Sequence, residues 1–206
     1  MSGFIELDNT FICPENFNIG VLQSIPIHKH FYGQPMDPDP KTLYWTDYCT
    51  REGVYDGISF VRKLYIDYQS VAEYVVTYLK TLFPEIPFDF HRVSLLKTKG
   101  NVIPHYDESN RKCCVNIGIH NSSISVTKTS AVKEWNVKLF EEMAVSNICK
   151  NGYAYLIDTS CMHSVETTDA TVERFLFSYA FGRSFEEILS KFYNKPTHHY
   201  GVNNGN

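Results

Sequence analysis

The chain has no run of about 18 apolar residues, so nothing in it reads as a membrane-spanning helix. Met1–Asp8 carries neither a basic region nor an apolar stretch, and a secretory leader is not expected. Cationic excess is missing too. Lys and Arg number 19 against 23 Asp and Glu, for a net charge of −4, so the electrostatic footprint of a general nucleic-acid binder is absent. There is no C-x-x-C pair. Cys13, Cys49, Cys113, Cys114, Cys149 and Cys161 are scattered apart from one adjacent pair, which suits neither a zinc knuckle nor a compact disulfide framework. Free thiols in a reducing compartment, the cytoplasm, are the expectation. Internal repeats and low-complexity blocks are lacking as well.

What is present is apolar and aromatic. Hydrophobic residues make up 43% of the 206 residues, enough to build a core. Aromatics reach 15%, and with many Val, Ile and Thr they tilt the chain toward β structure, because such side chains fit a pleated, half-buried surface. The length fits one domain.

The first third is irregular, with strand-like stretches at Ile19–Ile27 and Gly57–Ile66 and a proline-rich loop at Gln34–Pro40. Val71, Val75, Leu79 and Leu82 recur at helical spacing, with Ala72 and Phe83 on the same side. This predicts a helix over Asp67–Phe83, capped by Asp67 and stopped by Pro84. From Phe88 onward the pattern becomes short strands: Arg92–Thr98, Val102–His105, Cys113–His120, Ser125–Lys128, Val137–Phe140, Tyr153–Asp158, Ser164–Thr167 and Arg174–Phe181. Such spacing suggests a sandwich or barrel. A last helix is predicted from Ser184, with Glu187 completing a capping box, before a polar, mobile tail from Asn194.

Three features carry chemistry together. His105-Tyr106-Asp107 is followed 58 residues later by His163, and 11 further on by Arg174 in an apolar strand. The tripeptide alone is weak, since roughly 0.4 H-x-D matches arise by chance in this composition. Two apart on an extended segment, however, His105 and Asp107 point to one face. A second histidine from a neighbouring strand would complete a 2-His-1-carboxylate triad. That set leaves three positions of an octahedral ion open, as oxygen-activating non-haem Fe(II) requires. A guanidinium in an apolar strand is costly unless paired. A dicarboxylate co-substrate would pair Arg174 bidentately, and Ser178 shares its strand face. The plainer alternatives are a surface turn for His105 and Asp107, and an ion pair with Glu173 or Asp169 for Arg174. His28 and His30 read as exposed or loop histidines, His120 as a non-ligand, His198 and His199 as solvated, and Cys161 as a packing residue.

The order H-x-D, distal His, then Arg resembles the Fe(II)/2-oxoglutarate-dependent dioxygenases, and within them most the aspartyl/asparaginyl β-hydroxylase-like group. The segment His91–His105 is similar to that group's approach to its first histidine. Cys114-Val115-Asn116-Ile117-Gly118-Ile119 resembles its middle strand, and Gly152–Thr159 running into His163 looks like its distal-histidine block. The likeness covers about 88–184. It implies a mainly β fold with supporting helices around a double-stranded β-helix (jelly-roll, cupin-like) core. It implies Fe(II) held by His105, Asp107 and His163, with 2-oxoglutarate and O2 as co-substrates and no catalytic residue beyond the metal site. Arg174 and Ser94 would bind the far carboxylate of 2-oxoglutarate. The group's arginine and histidine at the keto-acid end fall on Cys114 and Asn116, so Asn116 is the candidate there, beside Ser178. Animal aspartyl hydroxylases lack the carboxylate ligand, whereas Asp107 is present. The span between the metal histidines is longer here, consistent with an insertion around Thr129–Asn147.

The expected organisation is one domain over 1–206. Residues 1–87 would be a supporting region with its helix, 88–184 the catalytic core, and 185–206 a short helix and tail. The expected activity is hydroxylation of an unactivated C–H bond of an Asp, Asn or Pro residue in a protein or peptide, or of a free amino acid, with release of succinate and CO2. Neither nucleic acid nor membrane is an expected partner. Two alternatives stay open: a non-catalytic jelly-roll binding module with a vestigial metal site, and a metal-dependent cupin reaction without 2-oxoglutarate.

Overall fold

Alternation of apolar and polar residues along the strands decides the architecture, because both faces of the main sheet are covered. The structure is a computed structural model that describes residues 3–14, 17, 20, 27–31, 43–50, 53–61, 68–99, 101–107, 110–169 and 171–192; the side chains of 27–31, 43–50, 53–61, 68–70, 91, 94, 97–99 and 103 are outside that description. The chain runs through β1 (Phe4–Asp8), β2 (Ile27–Phe31), β3 (Leu43–Thr50), β4 (Gly53–Val61), helix α1 (Tyr68–Leu82), β5 (Val93–Lys99), β6 (Val102–His105) and β7 (Cys113–His120). It continues through β8 (Ser125–Thr129), α2 (Val137–Met143), β9 (Val145–Ile148), β10 (Ala154–Asp158), β11 (His163–Thr167), β12 (Glu173–Phe181) and α3 (Phe185–Leu189). These strands form an eight-stranded sheet in the order β1-β10-β7-β12-β5-β4-β3-β2 and a four-stranded sheet in the order β6-β11-β8-β9. This is a jelly-roll of mainly antiparallel strands with few helices; β2 and β3 pair in parallel.

Helix α1 covers the outer face of the large sheet. Val71, Ala72, Val75, Val76, Leu79 and Leu82 are buried on it, together with Phe83 just beyond it. They pack with Val93 and Leu95 of β5, Val115 and Ile117 of β7, and Phe175, Phe177 and Tyr179 of β12. Each such side chain contributes about 1.5–3 kcal/mol of burial. The other residues of β12, Arg174, Leu176 and Ser178, face the small sheet. Period-two patterning therefore hides inside a strand that is buried nearly end to end. The apolar side docks the helix, and the mixed side lines the barrel.

The predicted strands Val102–His105 and Cys113–His120 match β6 and β7. The predicted helix matches α1, while its expected cap, Asp67, lies outside the described residues. Ser184 caps α3 as expected, accepting a hydrogen bond from the Glu187 amide. Val137–Phe140 departs from expectation, since it is helical and not a strand. Its V-K-L-F alternation imitates a strand, but Asn136 caps the segment by accepting from the Leu139 amide at 3.0 Å. Phe140 is then buried against Val132 and Met162, which a strand register would not achieve. With β9, this helix fills the stretch expected as an insertion. Of the strand expected over Ile19–Ile27, Gly20 is helical and Ile27 opens β2, the rest lying outside the described residues; of Gly57–Ile66, Gly57–Val61 lie in β4, which starts earlier at Gly53, and 62–66 lie outside the described residues. His28 and His30 sit on β2, not in a loop. Gln34–Pro40 and the tail from Asn194 lie outside the described residues.

Five cysteines, Cys13, Cys113, Cys114, Cys149 and Cys161, are free thiols. Among the described residues, no helix is long and apolar enough to cross a membrane.

Candidate metal centre

His105 ends β6 and His163 begins β11. In the antiparallel pairing of these strands the two stand directly opposite each other. Directly opposed residues project to the same face of a sheet, so the rings meet, with centroids 4.3 Å apart. Asp107, two residues beyond His105, returns to that face. Its amide donates to the Thr159 carbonyl at 2.8 Å, which fixes the turn out of β6. Asp107 Oδ1 lies 3.6 Å from His105 Nε2. One ligand atom from each of His105, Asp107 and His163 falls within 4.8 Å of the other two.

The protonation pattern suits a cation. His163 Nδ1 lies 3.0 Å from the Cys161 carbonyl, which only accepts, so the proton sits on Nδ1 and Nε2 keeps its lone pair. Burial, reinforced by the positive potential of His105, pushes His163 down to about 4, so it is neutral at pH 7. Donors in adjacent positions of an octahedral ion with bonds of about 2.1 Å sit about 3 Å apart, so a modest closing of these side chains would hold a divalent cation. Two imidazoles and one carboxylate are a borderline-hard set, suited to Fe, Mn, Co or Ni. The residues present fit a metal.

The floor beside this cluster is the barrel face of the large sheet. Ser178 of β12 is flanked in register by Asn116 of β7 and Ser94 of β5. The sheet thus brings three of the predicted co-substrate residues into one row across adjacent strands; the Ser94 side chain is outside the described set. The Asn116 side-chain oxygen is buried with no hydrogen-bond partner among the described residues. Arg174 lies four residues along β12 from Ser178, on the same face, and is 4% exposed. Burial lowers its pKa, and the neighbouring Cys149 pushes back. A guanidinium stays charged under such a shift, so positive charge is held inside the barrel.

One functional candidate was not legible in the sequence. Arg111 stands between the His105–Asp107–His163 cluster and the floor. Its Nε is 2.6 Å from Asp107 Oδ2, an ion pair set off the N–H axis, and its Nη2 donates to Ser178 Oγ at 3.1 Å. It also lies against Cys114, whose thiol burial pushes up to about 11 while Arg111 pulls it down. Thr159 was missed as well. Its Oγ1 donates to the Arg111 carbonyl at 2.5 Å, and its carbonyl receives the Asp107 amide. No spacing rule singles out a lone arginine before an apolar strand. His120 lies elsewhere: its ring is tilted by 51° against Phe175, with centroids 6.3 Å apart. Cys161 directs its thiol to Asp158 and contributes only its carbonyl to the site.

No family model matches the chain, and no curated protein matches its sequence. Among solved structures, AviO1 from Streptomyces viridochromogenes Tue57 is similar at a TM-score of 0.51 and 11% identity, over 87% of this chain and 90% of AviO1. HygX from Streptomyces hygroscopicus, solved with nickel and 2-oxoglutarate bound, is similar at a TM-score of 0.47 and 10% identity, over 89% of this chain and 84% of HygX. The non-haem alpha-ketoglutarate-dependent carbocyclase SnoK from nogalamycin biosynthesis is similar at 0.34 and 9% identity, over 43% of this chain; the chain spans 48% of SnoK. At 11% identity, the likeness to AviO1 is one of fold.

Proposed function

We propose that this chain is an Fe(II)- and 2-oxoglutarate-dependent oxygenase that hydroxylates an unactivated C–H bond. One observation carries the reading. His105 and His163 oppose each other across β6 and β11 with Asp107 beside them, one ligand atom of each within 4.8 Å of the others. The resemblance of residues 88–184 to the 2-oxoglutarate dioxygenases supports it. Bound iron and 2-oxoglutarate would supply oxygen activation, with succinate and CO2 as co-products.

The chain's own residues do the rest. His105, Asp107 and His163 hold the ion from one side. Arg174 presents a buried guanidinium to the far carboxylate of the co-substrate, with Ser94 on the adjacent strand. Ser178 and Asn116 line the floor between that end and the metal. The walls of the barrel exclude water, so a positive charge at Arg174 acts through a low dielectric. Charge supports a dianion: a divalent ion, Arg111 and Arg174 together exceed the single carboxylate of the ligand set by three units, and 2-oxoglutarate removes two.

By the same resemblance, the substrate is an Asp, Asn or Pro residue of a protein or peptide, or a free amino acid. Loops at the barrel mouth and the N-terminal region would select it. The cytoplasm, where ferrous iron and free thiols both persist, is the proposed compartment. The vestigial-module alternative rested on Cys114 standing where an arginine was expected. Arg111 brings a guanidinium to Cys114, which weakens that reading. Turnover decides the matter: with Fe(II), ascorbate and 2-oxoglutarate the protein should release succinate slowly without substrate, and His163→Ala should not. A screen of Asp-, Asn- and Pro-containing peptides and free amino acids for accelerated release then identifies the substrate. Absence of succinate with every candidate overturns the oxygenase reading.

A further inference from the structure

A carboxylate can bind a metal through one oxygen or two, and the choice decides what else fits. Two histidines and a one-oxygen aspartate fill three of six octahedral positions. A two-oxygen aspartate fills a fourth. Only two positions then remain, too few for a bidentate keto acid together with O2. Something must therefore fix Asp107, and the side chain paired with its Oδ2 is Arg111.

Arg111 Nε is 2.6 Å from Asp107 Oδ2, whereas Asp107 Oδ1 is the oxygen nearer His105, 3.6 Å from its Nε2. The two oxygens are thus assigned to different neighbours. The far end of the guanidinium is tied down by its donation to Ser178 Oγ at 3.1 Å, so it cannot follow Oδ2 toward the cluster without losing that bond. A planar fork with donors in fixed directions suits this double contact, and an ammonium does not. The backbone holds the pair in relation. Thr159 accepts the Asp107 amide through its carbonyl and donates through its hydroxyl to the Arg111 carbonyl. The Thr159 and Ser160 amides donate to the carbonyl of the next residue, Lys112. Asp107 and Arg111 are therefore both pinned to the β10–β11 turn, the same turn whose Cys161 carbonyl orients His163.

We propose that Arg111 is a positioning residue that holds Asp107 as a one-oxygen ligand and so keeps three positions of a bound divalent ion open. This rests on the metal reading above, and it concerns how the carboxylate binds, not which reaction follows. Removing Arg111 frees Oδ2 to swing onto the ion.

Mn(II) is the probe, because water-proton relaxation of the Mn(II)-loaded full-length chain counts inner-sphere waters. The unaltered protein should carry three and Arg111→Met two. With saturating 2-oxoglutarate the unaltered protein should keep one inner-sphere water and the methionine variant none, while Mn(II) affinity is kept or rises. A merely structural role would lower the melting temperature and Mn(II) affinity without changing the count. Arg111→Gln, close in volume and uncharged, carries the same reading if the methionine variant does not fold. Three waters in the folded methionine or glutamine variant, or two in the unaltered protein, overturn the proposal. If the unaltered protein shows three waters that 2-oxoglutarate does not displace, the oxygenase reading fails while the count still decides the role of Arg111.

Discussion

His163 and His105 face each other across one antiparallel strand pair, and the tautomer of His163 is set by the turn it follows. The Cys161 carbonyl accepts a hydrogen bond from His163 Nδ1–H, so the Nε2 lone pair is directed at the position where His105 and Asp107 converge. The site is drawn together by backbone pairing. Its parts come from β6 and its exit, from β11, and from the turn between β10 and β11.

Loss of a ligand should separate metal binding from folding. His163→Ala removes one of three donors and should weaken Co(II) affinity by about two orders of magnitude, at least as much as the loss of an outer-shell partner. The melting temperature of the metal-free protein should change little or rise, because a buried polar ring is removed. Titration of Co(II) by absorbance, with thermal melts alongside, checks both.

Arg174 should matter to the co-substrate and not to the metal. Arg174→Met keeps the stem and removes the charge. It should cost roughly 2–5 kcal/mol of 2-oxoglutarate binding, the range for truncating one partner of a buried charge pair. Co(II) affinity should stay within about threefold of the parent, a change under 1 kcal/mol. Calorimetry of 2-oxoglutarate binding to Co(II)-loaded protein is the measurement. Equal affinity in the two proteins would remove Arg174 from the co-substrate site.

Stability of the metal-free protein should depend on pH through His163. Its folded value, about 4, lies below the 6.5 of an exposed histidine. Between these values the unfolded chain binds the proton and the folded chain does not, so stability rises with pH across that window. The contribution is fully present above pH 6.5 and is lost as pH falls toward 4, with an upper limit of about 3 kcal/mol. Urea unfolding from pH 4 to 7.5 should show this slope, and His163→Gln should flatten it.

Thr159→Val tests the turn that links Asp107 to Arg111. It deletes the hydroxyl bond to the Arg111 carbonyl but leaves the backbone bonds in place. The expected loss is about 1 kcal/mol of stability, the usual value for one hydrogen bond. A fall in Co(II) affinity of about tenfold should accompany it.

Gly118 tests the back of the barrel. A Cβ there would lie 2.3 Å from the Lys150 carbonyl and 2.6 Å from Ser122 Oγ. Gly118→Ala should destabilise by about 1–3 kcal/mol, as overpacking does, with Co(II) binding retained at temperatures below the melt.

The barrel strands were readable where apolar runs were long and turn residues bounded them. β6 and β7 fall at their expected residues, and the period of two anticipated that His105 and Asp107 would share one face. Val137–Phe140 misled because four residues cannot distinguish a period of two from 3.6; the decisive signals, the Asn136 cap and the burial of Phe140, lie in tertiary packing and in the flanks. Arg111 was invisible for a deeper reason. Its partner Asp107 is four residues away, but its other partner, Ser178, lies on β12, and only the closed barrel brings the three together. The same holds for Thr159, whose value lies in its backbone and hydroxyl bonds and not in any pattern of residue types.

Anaerobic titration with Fe(II) and 2-oxoglutarate tests the oxygenase reading most directly. A keto acid chelating ferrous iron gives a weak visible charge-transfer band. That band should grow to saturation with one equivalent of each, vanish in His163→Ala, and require far more 2-oxoglutarate in Arg174→Met. Fe(II) bound to the unaltered protein with no band at saturating 2-oxoglutarate would contradict it.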